Sequence, residues 1–226
     1  STFIFANFNG TSGDIDVLTH EAGHALAFYL SRDIRIGELR PTGADTCEIH
    51  SMSMEFFTWP WMEGFFGDAT DKYLYNHLAS ALFFLPYGVI VDAFQHLVYE
   101  KPEMTPKERK QAWLALERAY RPWIDFEDVP FYSEGGRWQA QSHIYEMPFY
   151  YIDYCLAQTV ALTFWSEMQS DRKAAWARYM KLVGEAGSRT FSGLVSYAGL
   201  PLPFDPEALT RVTRAAADYL DQAKIG

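Results

Sequence analysis

Apolar positions recur at helical spacing from about Asp14 to Leu30, where Ile15, Leu18, Ala22, Ala25, Leu26 and Tyr29 follow the punctuation of Ser12 and Gly13. This predicts a first long helix. The stretch Ser31 to Ala44, with Gly37, Pro41 and Gly43, reads as a connection, and Asp45 opens a second helix running to about Phe57, ended by Trp59-Pro60-Trp61. Asp71 to Tyr99 is helical with a break or kink expected at Pro86-Tyr87-Gly88. Thr105-Pro106 then starts a helix over Lys107 to Tyr120, with proline at its first position and a charged face. Tyr132 to Gly136 reads as a flexible loop, and the aromatic, weakly amphipathic segment that follows to Ser170 reads as a buried helix. Asp171 to Val183 and Pro206 to Ala223 carry charged faces, and Gly184 to Pro203 between them is broken by glycines and prolines. Ahead of all these, Phe3, Phe5 and Phe8 within Thr2 to Phe8 read as a short strand before the Asn9-Gly10 turn. The fold class is mainly α with a short N-terminal β-strand or hairpin.

Composition narrows the partners. The 226 residues carry 19 Lys and Arg against 29 Asp and Glu, a formal charge of −10, without a basic run. Such a chain lacks the cations that displace counterions from phosphates, so nucleic acid is excluded as the expected partner. The longest apolar stretch, Leu78 to Val91, is interrupted by Ser80, Pro86 and Gly88 and is shorter than a bilayer span, so no membrane partner is expected. Cys47 and Cys155 are too few for a disulfide framework, although a single bridge between them stays open; a reducing, cytoplasmic setting is the expectation. No repeat or linker marks a second domain, so residues 1–226 read as one domain.

The strongest chemical signal is His20-Glu21-Ala22-Gly23-His24 inside the first predicted helix. At 3.6 residues per turn both imidazoles rise from one face and can aim at a single Zn²⁺, while Glu21 can take a proton from a water beside it. A catalytic zinc needs a third protein ligand. Ala27 and Leu30 stand where the extended form of the motif has glycine and histidine, so that ligand comes from a later element. The second helix offers Glu48, His50 and Glu55, with Glu48 and Glu55 two turns apart on one face. Asp45-Thr46-Cys47-Glu48 also has the form of a capping box. A carboxylate among Cys47, Ile49, Met52 and Met54 is costly to bury without a cation, which favours Glu48 as the ligand and leaves Glu55 to orient a histidine. His50, His77 and His96 read as structural or surface residues.

With Glu48-Ile49-His50-Ser51-Met52-Ser53-Met54-Glu55 after the motif, Phe5-Ala6-Asn7-Phe8 before it and His143-Ile144-Tyr145-Glu146-Met147-Pro148-Phe149-Tyr150-Tyr151-Ile152-Asp153-Tyr154 after both, the chain resembles the oligoendopeptidase F branch of the thimet-oligopeptidase family of zinc metallopeptidases. The resemblance covers nearly the whole chain. It implies a zincin-like helical catalytic domain, one Zn²⁺ on His20, His24 and Glu48, and Glu21 as the general base for cleaving internal bonds of short peptides. It further implies that His143 with Tyr150, Tyr151 and Tyr154 binds the carbonyl and the oxyanion, although the residues alone also fit an aromatic core helix. Phe5, Ala6 and Asn7 would pair with substrate backbone as an edge strand. The Gly135-Gly136 loop would close over the peptide. Family members continue well upstream, so the chain resembles the C-terminal catalytic part, with an N-terminal segment completing the substrate channel. An exopeptidase, or a helical module holding zinc structurally, are the rival readings.

Overall fold

A computed structural model of the chain describes residues 2–40, 44–126 and 128–223. The long helices are α1 (Ser12–Leu30), α2 (Ala44–Phe57), α3 (Thr70–Glu100), α4 (Pro106–Tyr120), α5 (Tyr151–Gly184), α6 (Phe191–Tyr197) and α7 (Pro206–Gln222), joined by turns and single-turn helices. They form two compact units: residues 1–82 with 156–226, and residues 83–155.

Local chemistry sets most boundaries. The Asn9-Gly10 turn leads into α1 through Asp14, whose carboxylate accepts the backbone N–H of Asn9 at 3.0 Å and of Gly10 at 2.6 Å, tying the turn before the helix to its first turn. Thr105 and Glu108 close a reciprocal capping box on α4, with Pro106 at the first helical position. Within α5, Asp171 leaves helical geometry (φ −148, ψ 91) and accepts the N–H of Ala174 at 2.9 Å, so the boundary expected after Ser170 is an N-cap between two helices.

Four expectations are corrected. No strand occurs among the described residues, and residues 2–9 run without regular structure, with Phe3 81% and Phe5 87% exposed. An edge strand exists only beside a partner that exchanges backbone hydrogen bonds, and none is offered among the described residues. Helix α3 continues through Pro86 without a break, its neighbours Ile90, Val91 and Phe94 being fully buried; tertiary packing outweighs the missing donor. Gly135 and Gly136 are not a slack loop. A β-carbon on Gly136 would stand 2.6 Å from the carbonyl oxygen of Phe131, and Gly135 (φ +80) lies hard against the Lys110 carbonyl, so both are close-packing positions behind the short helix Pro130–Ser133. By length and composition alone the helical run Trp59–Glu100 is long and apolar enough to cross a membrane, which Leu78 to Val91 read alone did not suggest; core helices of soluble proteins meet the same test. The predicted connection holds a 3₁₀ turn at Gly37–Leu39, while Pro41 and Gly43 lie outside the described residues.

The first unit is built on a core in which Ile49 and Phe57 of α2 meet Phe164 and Tyr179 of α5 and Leu194 and Val195 of α6. The second centres on Ile90, Val91, Phe94, Trp113 and Trp138. No disulfide joins Cys47 and Cys155, and the buried Cys155 thiol donates to the Leu85 carbonyl at 3.7 Å.

Candidate metal centre

The site in the first unit begins with a close approach between α1 and α2. A β-carbon on Gly23 would stand 2.6 Å from the Ser51 α-carbon and closer still to the His50 carbonyl oxygen, so only glycine lets the two backbones meet here. That contact brings the outward row of α1 against the start of α2. His20 and His24 hold their rings 4.9 Å apart and nearly perpendicular. One carboxylate oxygen of Glu48, Oε2, lies 3.2 Å from His20 Nε2 and 3.7 Å from His24 Nε2. Ser51 donates its hydroxyl to the same oxygen at 3.1 Å. Glu48 is only 5% exposed. The helix begins at Ala44, one residue before the expected cap, and Asp45 instead accepts the N–H of Thr46 at 2.8 Å from within the first turn. Glu48, for its part, turns toward the histidines.

The donor set fits a divalent cation. His20, His24 and Glu48 each offer one ligand atom, and these atoms lie within 4.8 Å of one another. Tetrahedral zinc with bonds of about 2.0–2.1 Å has ligand atoms roughly 3.3 Å apart, a separation that the two Glu48 distances bracket. Two imidazoles with one carboxylate is also the composition that leaves a coordination position for water or substrate.

Behind these three residues, Glu55 joins two histidines. Its Oε1 lies 2.6 Å from His20 Nδ1 and its Oε2 lies 2.8 Å from His77 Nε2. The indole of Trp59 donates to the other nitrogen of His77 at 2.9 Å. Charges follow this wiring. Burial alone would pull the His20 pKa down, but hydrogen bonds to Glu48 and Glu55 overcome it and raise it to about 10. His24, lacking a partner like Glu55, is lowered by burial. Burial would raise Glu55, yet its hydrogen bonds to His20 and His77 hold it below the usual carboxylate value. His50, expected to be structural or at the surface, is fully buried, and its carbonyl accepts the Tyr179 hydroxyl at 2.8 Å. His96 is exposed, 3.6 Å from Asp92. Sequence reasoning missed His77 and Trp59, because nothing in local spacing links them to Glu55.

The second unit gathers the remaining candidates around His143, in a single-turn helix His143–Glu146. Tyr150 stacks parallel to the imidazole with ring centres 6.1 Å apart; Tyr151 and Tyr154 meet it edge-on at 5.0 and 5.8 Å. Tyr87 donates to Gln141 at 2.8 Å, and the Gln141 amide nitrogen lies 2.8 Å from His143 Nδ1. Phe149 adopts a positive φ of 64 just before the tyrosines, its N–H held by Gln95 at 2.8 Å. Phe5, Ala6 and Asn7 lie in the irregular N-terminal segment and form no strand.

Comparison with known proteins agrees with this chemistry. The model of Peptidase family M3 matches residues 1–194. Among solved structures, an X-ray structure described as an oligoendopeptidase F is 56% identical with a TM-score of 0.93, covering 97% of this chain and 39% of its own. PZ peptidase A with an inhibitor is 53% identical with the same TM-score and the same coverage. A further structure described as an oligoendopeptidase F, from Bacillus anthracis str. Ames, is 49% identical with a TM-score of 0.83, covering 97% and 36%. The chain therefore spans about two fifths of the length of these structures. No curated protein matches it.

Proposed function

The chain belongs to Peptidase family M3, and from that premise we propose that it carries the catalytic machinery of a zinc-dependent endopeptidase acting on internal bonds of short oligopeptides. The observation that carries this reading is the convergence of His20, His24 and Glu48, with Glu21 following His20 in the same helix. Zinc bound by those three residues would acidify a water and polarise the scissile carbonyl.

The chain's own groups supply the rest. The Glu21 carboxylate takes a proton from the attacking water and delivers it to the amide nitrogen as the C–N bond breaks. Glu55 keeps the Nδ1 proton of His20 in place, so that Nε2 presents its lone pair. The family resemblance assigns His143 and the tyrosine hydroxyls the role of donors to the carbonyl oxygen as it gains negative charge. A preference for short peptides follows the names of the solved relatives, and an upstream segment of the same enzyme would complete the peptide channel. Two cysteines are too few for a disulfide framework, which suits a reducing compartment, and we assign the protein to the cytoplasm.

The test is cleavage of an internally quenched peptide with blocked ends, by this chain alone and with an upstream segment added, alongside metal analysis. Glu21→Gln should retain zinc and lower turnover by roughly 10²–10⁴-fold. Absence of bound zinc, or zinc content unchanged by His24→Ala, would remove the foundation of the assignment. Cleavage confined to free termini would move it to the exopeptidases.

A further inference from the structure

We propose that His77, backed by Trp59, is a positioning residue that fixes the proton of His20 through Glu55. The inference rests on the metal-centre reading above and extends it to residues on two further elements, the 3₁₀ turn Trp59–Trp61 and α3.

The direction of every hydrogen in the chain follows from its far end. An indole nitrogen only donates. Trp59 Nε1 is 2.9 Å from His77 Nδ1, so that nitrogen accepts and the neutral imidazole carries its proton on Nε2. This Nε2 is 2.8 Å from Glu55 Oε2 and donates to it. The other Glu55 oxygen, 2.6 Å from His20 Nδ1, accepts in turn, which leaves His20 Nε2 as the nitrogen facing Glu48 at 3.2 Å. The opposite tautomer of His77 would set its lone pair against the carboxylate and its N–H against the indole N–H, losing both bonds.

The ring is also clamped. Tyr73 stacks parallel on His77, with centroids 5.8 Å apart and planes 5° from parallel, and Phe56 lies at 4.8 Å. Tyr73 donates its hydroxyl to Asp16 at 2.6 Å, one turn before His20 on α1, so the platform that holds His77 is tied back to the helix it serves. The His77 side chain is 9% exposed and that of Glu55 14%. In this nearly dry setting a carboxylate deprived of one donor would reorient toward another.

The test uses the full chain and zinc alone. In the ¹⁵N-labelled wild type, imidazole correlations should show His77 protonated at Nε2 and bare at Nδ1; protonation at Nδ1 would overturn the proposal. Chelator competition should show zinc affinity falling about 10–100-fold in His77→Phe, the range for lost support of a ligand histidine. Trp59→Phe, which keeps a ring and removes only the N–H, should lower affinity by a smaller factor. His77→Gln, whose amide can still donate to Glu55, should recover part of the loss. Wild-type affinity in a His77→Phe variant with native circular dichroism and melting would overturn the relay, while loss of zinc in His24→Ala would leave the metal reading standing. Should the wild type hold no zinc, the metal reading falls, and the imidazole spectrum still decides the relay.

Discussion

Gly23 lies so close beneath His50 that a β-carbon on the glycine would overlap the His50 carbonyl oxygen and stand 2.6 Å from the α-carbon of Ser51. Both obstacles are backbone, so neither can swing aside. Gly23→Ala, which raises intrinsic helix propensity, should therefore destabilise the protein by about 1–3 kcal/mol through overpacking. Thermal unfolding checks this, with a drop of roughly 2–4 °C for each kcal/mol in a chain of this size. A melting temperature at or above wild type would show that the helices can part without cost.

His50 gives acid sensitivity a defined origin. Burial, and then the nearby His24, drives its pKa from 6.5 to about 3. The folded state keeps this imidazole neutral while the unfolded chain protonates it, so its contribution is fully present above pH 6.5 and is lost as pH falls toward 3. Urea midpoints measured across that window should fall less steeply in His50→Leu than in the wild type. Parallel curves would assign the acid loss to other groups.

The two thiols should resist alkylation in the native protein. Burial, and then Asp92, pushes Cys155 up to about 12; burial, and then Glu48 and Asp45, pushes Cys47 to about 11. With about a thousandfold less thiolate than an unfolded cysteine, Cys155 should remain unlabelled by iodoacetamide at pH 8 and react fully in denaturant. The same shifts contribute stability below pH 9 that is lost as pH rises toward 11 and 12. Mass spectrometry of the labelled peptides reads the outcome directly.

The aromatic group around His143 makes separable predictions. Tyr151 packs against the core formed by Ile90, Val91, Phe94 and Trp113, whereas Tyr150 lies parallel on the imidazole. Loss of a preorganised donor costs about 3 kcal/mol of transition-state stabilisation. Tyr150→Phe and Tyr154→Phe should thus lower kcat on the order of 100-fold with KM little changed, and Tyr151→Phe should be the mildest of the three. Steady-state kinetics on the quenched peptide decides, and a KM effect in place of a kcat effect would make these rings substrate walls.

Much of this was legible before any coordinates, for reasons that differ between elements. Thr105-Pro106 and the apolar row from Ile15 to Tyr29 carry local signals, a cap and a period, that act within one helix. His20, Glu21 and His24 are legible in the same way, since one turn of helix dictates their alignment. Glu48 is readable from the cost of a carboxylate among apolar neighbours. The relation of His77 to Glu55 is purely tertiary, made by two helices whose sequences contain no trace of each other. Phe3, Phe5 and Phe8 show the converse error: alternation predicts a strand, but strandhood belongs to a pair of segments and not to one. At Pro86 the propensity cost alone predicts a break or kink, and the helix is nonetheless unbroken because the burial of Ile90, Val91 and Phe94 outweighs that cost.

Helix α2 supplies both Glu48 and Glu55, two turns apart on one side. A slip of α2 along α1 by a single residue would withdraw both carboxylates from His20 together, leaving no half-assembled arrangement of intermediate grip. An ion held by His20, His24 and Glu48 would therefore act as a latch on helix register, and slow release of that metal to a chelator would time the parting of α1 from α2.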